Sequence, residues 1–70
     1  MKLTSESIKQ ELAKRIAGCD SKSLKRISTR KGLSDNTHEF LSSDDKSIKY
    51  VVYTNLANTK IIMTCMDEVR

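Results

Sequence analysis

The chain has 70 residues, a formal net charge of +4, no proline and two cysteines. A chain of this length forms one small domain with a thin core, and we assign residues 1–70 to it. No apolar run approaches the roughly 20 residues that cross a bilayer, and the first ten residues lack the apolar segment of a signal peptide. We therefore expect a cytoplasmic protein that does not enter a membrane.

Cofactor and metal sites are not expected. Cys19 and Cys65 lie too far apart for a C-x-x-C pair, and His38 is the single histidine, so the usual zinc ligand sets are missing. No glycine-rich loop is present to hold the phosphates of a nucleotide. The sequence therefore predicts no metal and no cofactor.

Positive charge is concentrated in one part of the chain. Residues 14–31 carry seven lysines and arginines and one aspartate, a net charge of +6, whereas residues 32–70 carry −2. A basic block beside an acidic remainder favours an anionic partner, and nucleic acid is the partner that we expect first.

The first predicted element is a helix over residues 5–17. Ile8, Leu12 and Ile16 recur every four residues and form one apolar stripe. Thr4 is well placed to cap the helix N-terminus.

The last predicted element is a β-hairpin with strands at 47–54 and 59–66, joined by a four-residue loop. The register that best separates apolar from polar side chains places three pairs on one face, namely Ile48–Cys65, Tyr50–Met63 and Val52–Ile61. We expect this face to pack on the helix stripe.

The middle segment, residues 20–43, is open to two interpretations. In the helical one, Asp20 caps a first helix, Gly32 makes the turn, and Ser34 caps a second helix that ends near Leu41. In the other, SLKRIST and THEFLSS are strands, which gives one helix followed by a four-stranded antiparallel meander. Helices are favoured because Leu24 and Ile27 would point to opposite faces of a strand.

The predicted fold is therefore α+β, with an N-terminal helix packed on a C-terminal antiparallel β-hairpin and a middle segment that is helical in preference to a further pair of strands. A helix-turn-helix followed by a hairpin is the order of a winged helix. The second helix would then enter the major groove of duplex DNA, with Asn36, Thr37 and His38 at the base edges.

Phosphate contacts in this hypothesis come from the basic block and the hairpin, and the predicted residues are Lys22, Lys25, Arg26, Arg30, Lys31, Lys49 and Lys60. The predicted function is a small DNA-binding protein with a role in transcription regulation, and not an enzyme. One alternative is a protein-interaction or inhibitor module, or a homodimer, that docks through the hairpin face or edge. The strand interpretation allows a second alternative, a metal-free RNase that uses His38 to move a proton.

Overall fold

A computed structural model describes residues 2–43 and 47–68 of the chain. Its elements are helix α1 (Ser5–Arg15), a 3₁₀ turn (Ser21–Ser23), β1 (Leu24–Lys31), β2 (Asp35–Ser42), β3 (Ile48–Asn55) and β4 (Ile61–Glu68). The strands form one antiparallel sheet in the order β1-β2-β3-β4, so that each strand pairs with the next along the chain.

Helix α1 begins where the sequence predicts. The Thr4 hydroxyl accepts a hydrogen bond from the Ser7 amide at 3.2 Å, which satisfies one of the free donors of the first turn. The helix ends at Arg15, two residues earlier than predicted, because Ile16 is already extended (φ −117°). In this position the Ile16 side chain packs against the core.

The core lies between α1 and one face of the sheet. Ile8 and Leu12 are its buried helix residues, and Leu12 is fully excluded from solvent. The strands contribute Leu24, Phe40, Tyr50 and Val52. The opposite face of the sheet is not covered by α1, and we call it the open face.

The predicted fold class is wrong in the middle of the chain, where there is no helix-turn-helix. Asp20 does cap a turn, accepting a hydrogen bond from the Lys22 amide at 3.1 Å, but this turn ends at Ser23 and Leu24 starts β1. No helix begins at Ser34, since β2 starts at Asp35. The meander that the sequence left open as the alternative is the observed arrangement.

A β-bulge removes the objection to a strand at residues 24–31. The pairing of β1 with β2 shifts between Arg26 and Ser28, which leaves Ile27 as the extra residue. Leu24 is buried against the core, whereas Ile27 is 46% exposed, so the two side chains do not need to share a face. Strand pairing with β2 then outweighs the weak helical pattern of this short segment.

The C-terminal strands pair as a hairpin, but the predicted register is wrong by three residues. Tyr50 lies opposite Met66, Val51 opposite Cys65, and Tyr53 opposite Met63. An odd shift exchanges the two faces of a strand, so Cys65 and Met63 lie on the open face and not on the core face.

Two features explain this register, a longer loop between β3 and β4 and a β-bulge in β4. The Asn55 side-chain oxygen accepts the amides of Thr59 at 2.8 Å and Lys60 at 3.1 Å. Asn58 adopts a left-handed conformation (φ 56°), which asparagine tolerates better than most residues. These contacts extend the loop to Lys60, and Ile61 becomes the partner of Thr54, which is a shift of two residues from the predicted register. The pairing shifts again between Tyr53 and Thr54 and leaves Ile62 as an extra residue, so the pairs beyond it are shifted by three.

Candidate nucleic-acid interface

Strand β1 is an edge of the sheet and carries four exposed cationic side chains. Opposed residues of an antiparallel pair share a face, so the β1–β2 register places Lys25 and Arg30 on the open face and Arg26 and Lys31 on the α1 side. Charge and a bulge are common features of edge strands that avoid pairing with another chain. The β1 edge is thus a cationic surface that is open to solvent along its length.

Most of these cations are not neutralised within the described structure. On α1, Lys9 pairs with Glu6 at 3.7 Å, and Lys14 and Arg15 pair with Glu11 at 3.9 and 3.3 Å. By contrast, no ion pair with a described residue is made by Lys22, Lys25, Arg26 or Lys31. The basic block therefore divides into a helix end, where two cations share one carboxylate, and the following turn and strand, where most cations make no ion pair with a described residue.

A compact cluster around Glu39 occupies the open face next to β1. The Glu39 carboxylate accepts hydrogen bonds from Lys49 Nζ at 2.8 Å and from the Ser28 hydroxyl, and Arg30 lies 3.7 Å away. The hydrogen bond from Lys49, followed by that from Ser28, lowers the pKa of Glu39, and the same carboxylate raises the pKa of Lys49. Glu39 therefore stays ionised and offsets the charge of Lys49.

His38 belongs to a buried polar network on the α1 side of the sheet. Its Nε2 lies 3.0 Å from the Thr54 hydroxyl, which in turn donates to Asn58 Oδ1 at 2.6 Å. Because the one hydroxyl hydrogen of Thr54 goes to Asn58, the hydroxyl oxygen must accept from His38 Nε2–H. The other ring nitrogen, Nδ1, is then an acceptor, and it lies 3.5 Å from the hydroxyl of Thr29 on β1.

Asn36 fixes this network to the β3–β4 loop. Its side-chain nitrogen donates to Asn58 Oδ1 at 3.0 Å and lies within 3.2 and 3.3 Å of the carbonyl oxygens of Asn55 and Leu56. The Leu3 amide also donates to the Asn58 carbonyl at 2.5 Å, which attaches the segment before α1 to the same loop. The network therefore holds one end of the sheet together.

Burial keeps His38 neutral. The residue is 7% exposed, and burial lowers the pKa of His38 below its usual 6.5, against an opposing hydrogen-bond effect of the Asn58 side chain. The positive charge of Arg26 lowers this pKa further. At neutral pH, His38 is therefore uncharged, and its imidazole ring is held by its hydrogen bond to Thr54.

The predicted base-reading residues do not lie on a helix. Asn36, Thr37 and His38 are consecutive residues of β2, and the first and third are buried in the polar network. Thr37 lies on the open face beside Arg30. The reading-helix mechanism is therefore wrong for this chain.

The predicted phosphate contacts are only partly brought together. Lys22, in the 3₁₀ turn, directly precedes the four cations of β1. Lys49 is held by Glu39 on the open face, and Lys60 is exposed in the β3–β4 loop, two strands away from β1. The observed interface is the β1 edge with Lys22.

Sequence reasoning missed a cavity beside this edge. It has a volume of about 420 Å³ and is lined by Lys25, Ile27, Leu41, Ser42 and Ser43. The sequence offers no signal for it because the cavity depends on the Ile27 bulge and on the β1–β2 register. The role of Glu39 was also missed, since its partners Ser28 and Lys49 come from two different strands.

Comparisons with known proteins give no match: no family model, no curated protein and no solved structure is similar to this chain. Within residues 2–43 and 47–68, no helix is long and apolar enough to cross a membrane. The same residues contain no group of three His, Cys, Asp or Glu side chains placed to hold a metal ion. The fold and the site together define a two-layer α+β domain with a cationic edge strand.

Proposed function

We propose that the protein binds nucleic acid through phosphate contacts from the β1 edge. The observation that carries this proposal is the unbalanced charge of Lys22, Lys25, Arg26 and Lys31, next to a helix whose cations are already paired. Lysine and arginine that neutralise phosphates release condensed counterions, which is the main source of sequence-independent affinity. The expected site of action is the cytoplasm.

The edge position supports phosphate binding over base reading. Side chains from both faces of an edge strand extend past the sheet. Cations on the open face and cations on the α1 side can therefore contact the same nucleic-acid strand. In the described part of the chain, the one α-helix has its three lysines and arginines ion-paired with Glu6 and Glu11, so it offers less free charge to a nucleic acid than β1 does. Binding in this form is weakly dependent on base sequence and strongly dependent on salt.

The test compares two triple variants with the same change in net charge. One replaces Lys25, Arg26 and Lys31 with glutamine on the β1 edge, and the other replaces Lys9, Lys14 and Arg15 with glutamine on α1. Fluorescence anisotropy of a labelled oligonucleotide at low salt measures affinity, and a thermal melt checks that each variant is folded. The α1 variant loses helix ion pairs at the protein surface, which contribute little to stability, and the melt also checks the effect at Lys9, whose side chain is partly buried.

We expect the β1 variant to lose at least about tenfold in affinity and the α1 variant to lose much less. Equal losses would mean that only net charge matters and would contradict an interface at β1. Absence of binding by the unchanged protein at low salt would refute the proposal as a whole.

A second candidate, a protein partner or a homodimer, is favoured by the β4 edge. Ile62, Met63 and Met66 are 56%, 49% and 55% exposed along this strand, which pairs with β3 on one side and has no neighbouring strand on the other. Exposed apolar side chains on an edge are typical of strand-addition surfaces. Sedimentation equilibrium tests self-association, and a monomer at all concentrations would remove the homodimer.

The RNase hypothesis stays a prediction with a specific requirement. Of the two imidazole nitrogens of His38, only Nδ1 can accept a proton, and the Thr29 hydroxyl lies 3.5 Å from it. A substrate hydroxyl must therefore replace Thr29 at this nitrogen to pass its proton to His38. Cleavage of a fluorogenic RNA that is unchanged in a folded His38→Gln variant would exclude the hypothesis.

A further inference from the structure

The cavity between β1 and β2 adjoins the cationic edge. Lys25 forms part of its wall, and Ile27 and Leu41 form the apolar part. Its volume of about 420 Å³ lies within the range of small-molecule sites. An apolar recess is therefore placed directly beside a side chain that is available to a phosphate.

The recess depends on the bulge in β1. Ile27 is the residue that the bulge leaves without a partner on β2, and it is 46% exposed. Leu41 lies opposite Lys25 on the open face. Two aliphatic side chains are thus held in a fixed position beside the cations, where contact with an apolar group would remove them from water.

Resting on the proposed function, we infer that this cavity takes one unstacked base of a single-stranded nucleic acid whose phosphates lie on the β1 cations. A base in a duplex is stacked and paired, and it enters a side pocket only when it is flipped out at a cost. A single strand presents its bases without that cost. Single-strand binders usually stack bases on aromatic side chains, whereas here the contact with the base comes from the aliphatic side chains of Ile27 and Leu41. The site therefore selects single strands over duplexes.

The charges on the open face are compatible with this path. Glu39 lies two residues from Leu41 on the same face, but Lys49 and Arg30 surround its carboxylate. The phosphates of the strand are therefore attracted by Lys25, and they are not repelled by Glu39, because Lys49 and Arg30 offset its negative charge. This arrangement keeps the phosphates near β1 and directs a base towards the cavity.

The experiment compares a labelled thymidine decamer with an abasic decamer of the same length and charge. Both are titrated with the unchanged protein, with Ile27→Ser and with the control Leu33→Ser. Leu33 is fully exposed outside the strands and does not line the cavity, so the control removes the same kind of side chain without altering the site. A thermal melt confirms that both variants are folded.

We expect the base-bearing strand to bind about fivefold more tightly than the abasic one, and Ile27→Ser to remove most of this difference. Leu33→Ser should leave it unchanged. Equal binding of both strands, or no effect of Ile27→Ser, would overturn the base site, although phosphate binding at β1 would still stand. The cavity would then be a site for a side chain of a protein partner. Failure of both strands to bind while a duplex of the same length binds would overturn the inference alone. Failure of all three would refute the proposed function together with the inference.

A uridine decamer distinguishes the two sources of single strands. Equal affinity for the uridine and thymidine decamers supports a site that recognises base and phosphate alone. Tighter binding of the uridine decamer than of a deoxyuridine decamer supports the same site with RNA as its ligand, because these two differ only in the 2′-hydroxyl.

Discussion

Replacing Thr54 with valine tests the buried hydrogen-bond network of His38, Thr54 and Asn58, because the network determines whether the free energy of unfolding rises or falls. Valine has nearly the same shape, so at an ordinary core position its extra apolar surface would stabilise the fold by about 1 kcal/mol. Thr54 is fully buried, however, and its hydroxyl accepts from His38 and donates to Asn58. Thr54→Val therefore leaves the buried Nε2–H of His38 without its hydrogen-bond acceptor.

The expected result is a net loss of stability. An unsatisfied buried polar group costs about 1–3 kcal/mol, which exceeds the apolar gain, so Thr54→Val should destabilise the protein by about 1–2 kcal/mol. Urea denaturation followed by circular dichroism measures this. With an m-value of about 1 kcal/mol/M for a small domain, the midpoint should fall by about 1–2 M.

Thr64→Val is the matched control. Thr64 lies opposite Val52 on the same face of the sheet, is only partly buried, and makes no hydrogen bond through its hydroxyl to a described residue. The same substitution there should be neutral or slightly stabilising. A Thr54→Val protein at least as stable as the unchanged one would refute the stabilising role of the network.

Two further predictions concern titration and charge. Because the folded state lowers the pKa of His38, its contribution to stability is complete above about pH 6.5 and is lost as the pH falls below that value, which urea midpoints across this range will detect. A His38→Gln protein should lack this part of the pH dependence, and an identical profile would contradict the assignment. Glu39→Gln removes the charge that offsets Lys49 and Arg30, so affinity for a single-stranded oligonucleotide should rise about two- to threefold. An unchanged or lower affinity would mean that the open face does not contribute to binding.

The helix was predictable because its signals are local. The cap at Thr4 and the stripe of Ile8 and Leu12 depend only on sequence spacing, and the structure confirms both. The middle segment lacked such signals. On the buried side of β2, Asn36 and His38 are polar, so its alternating burial does not appear as alternating hydrophobicity.

The register of the C-terminal hairpin could not be predicted from apolar patterning alone. Residues 61–66 are apolar on both faces of β4, so patterning does not discriminate registers that differ by an odd shift. The register is decided by the loop contacts of Asn55 and Asn58 together with the bulge that leaves Ile62 as an extra residue. For the candidate site, the sequence indicated the charge of residues 14–31, but only the structure shows which of these cations are ion-paired.

The salt dependence of single-strand binding tests the central proposal most directly. Four phosphate contacts, from Lys22, Lys25, Arg26 and Lys31, predict a slope of about −2.8 for log K against log salt, at about −0.7 for each contact. Glutamine at Lys25, Arg26 and Lys31 should reduce the slope to about −0.7, since one contact remains. A slope near zero for the unchanged protein, or an equal slope for the variant, would contradict an interface at β1.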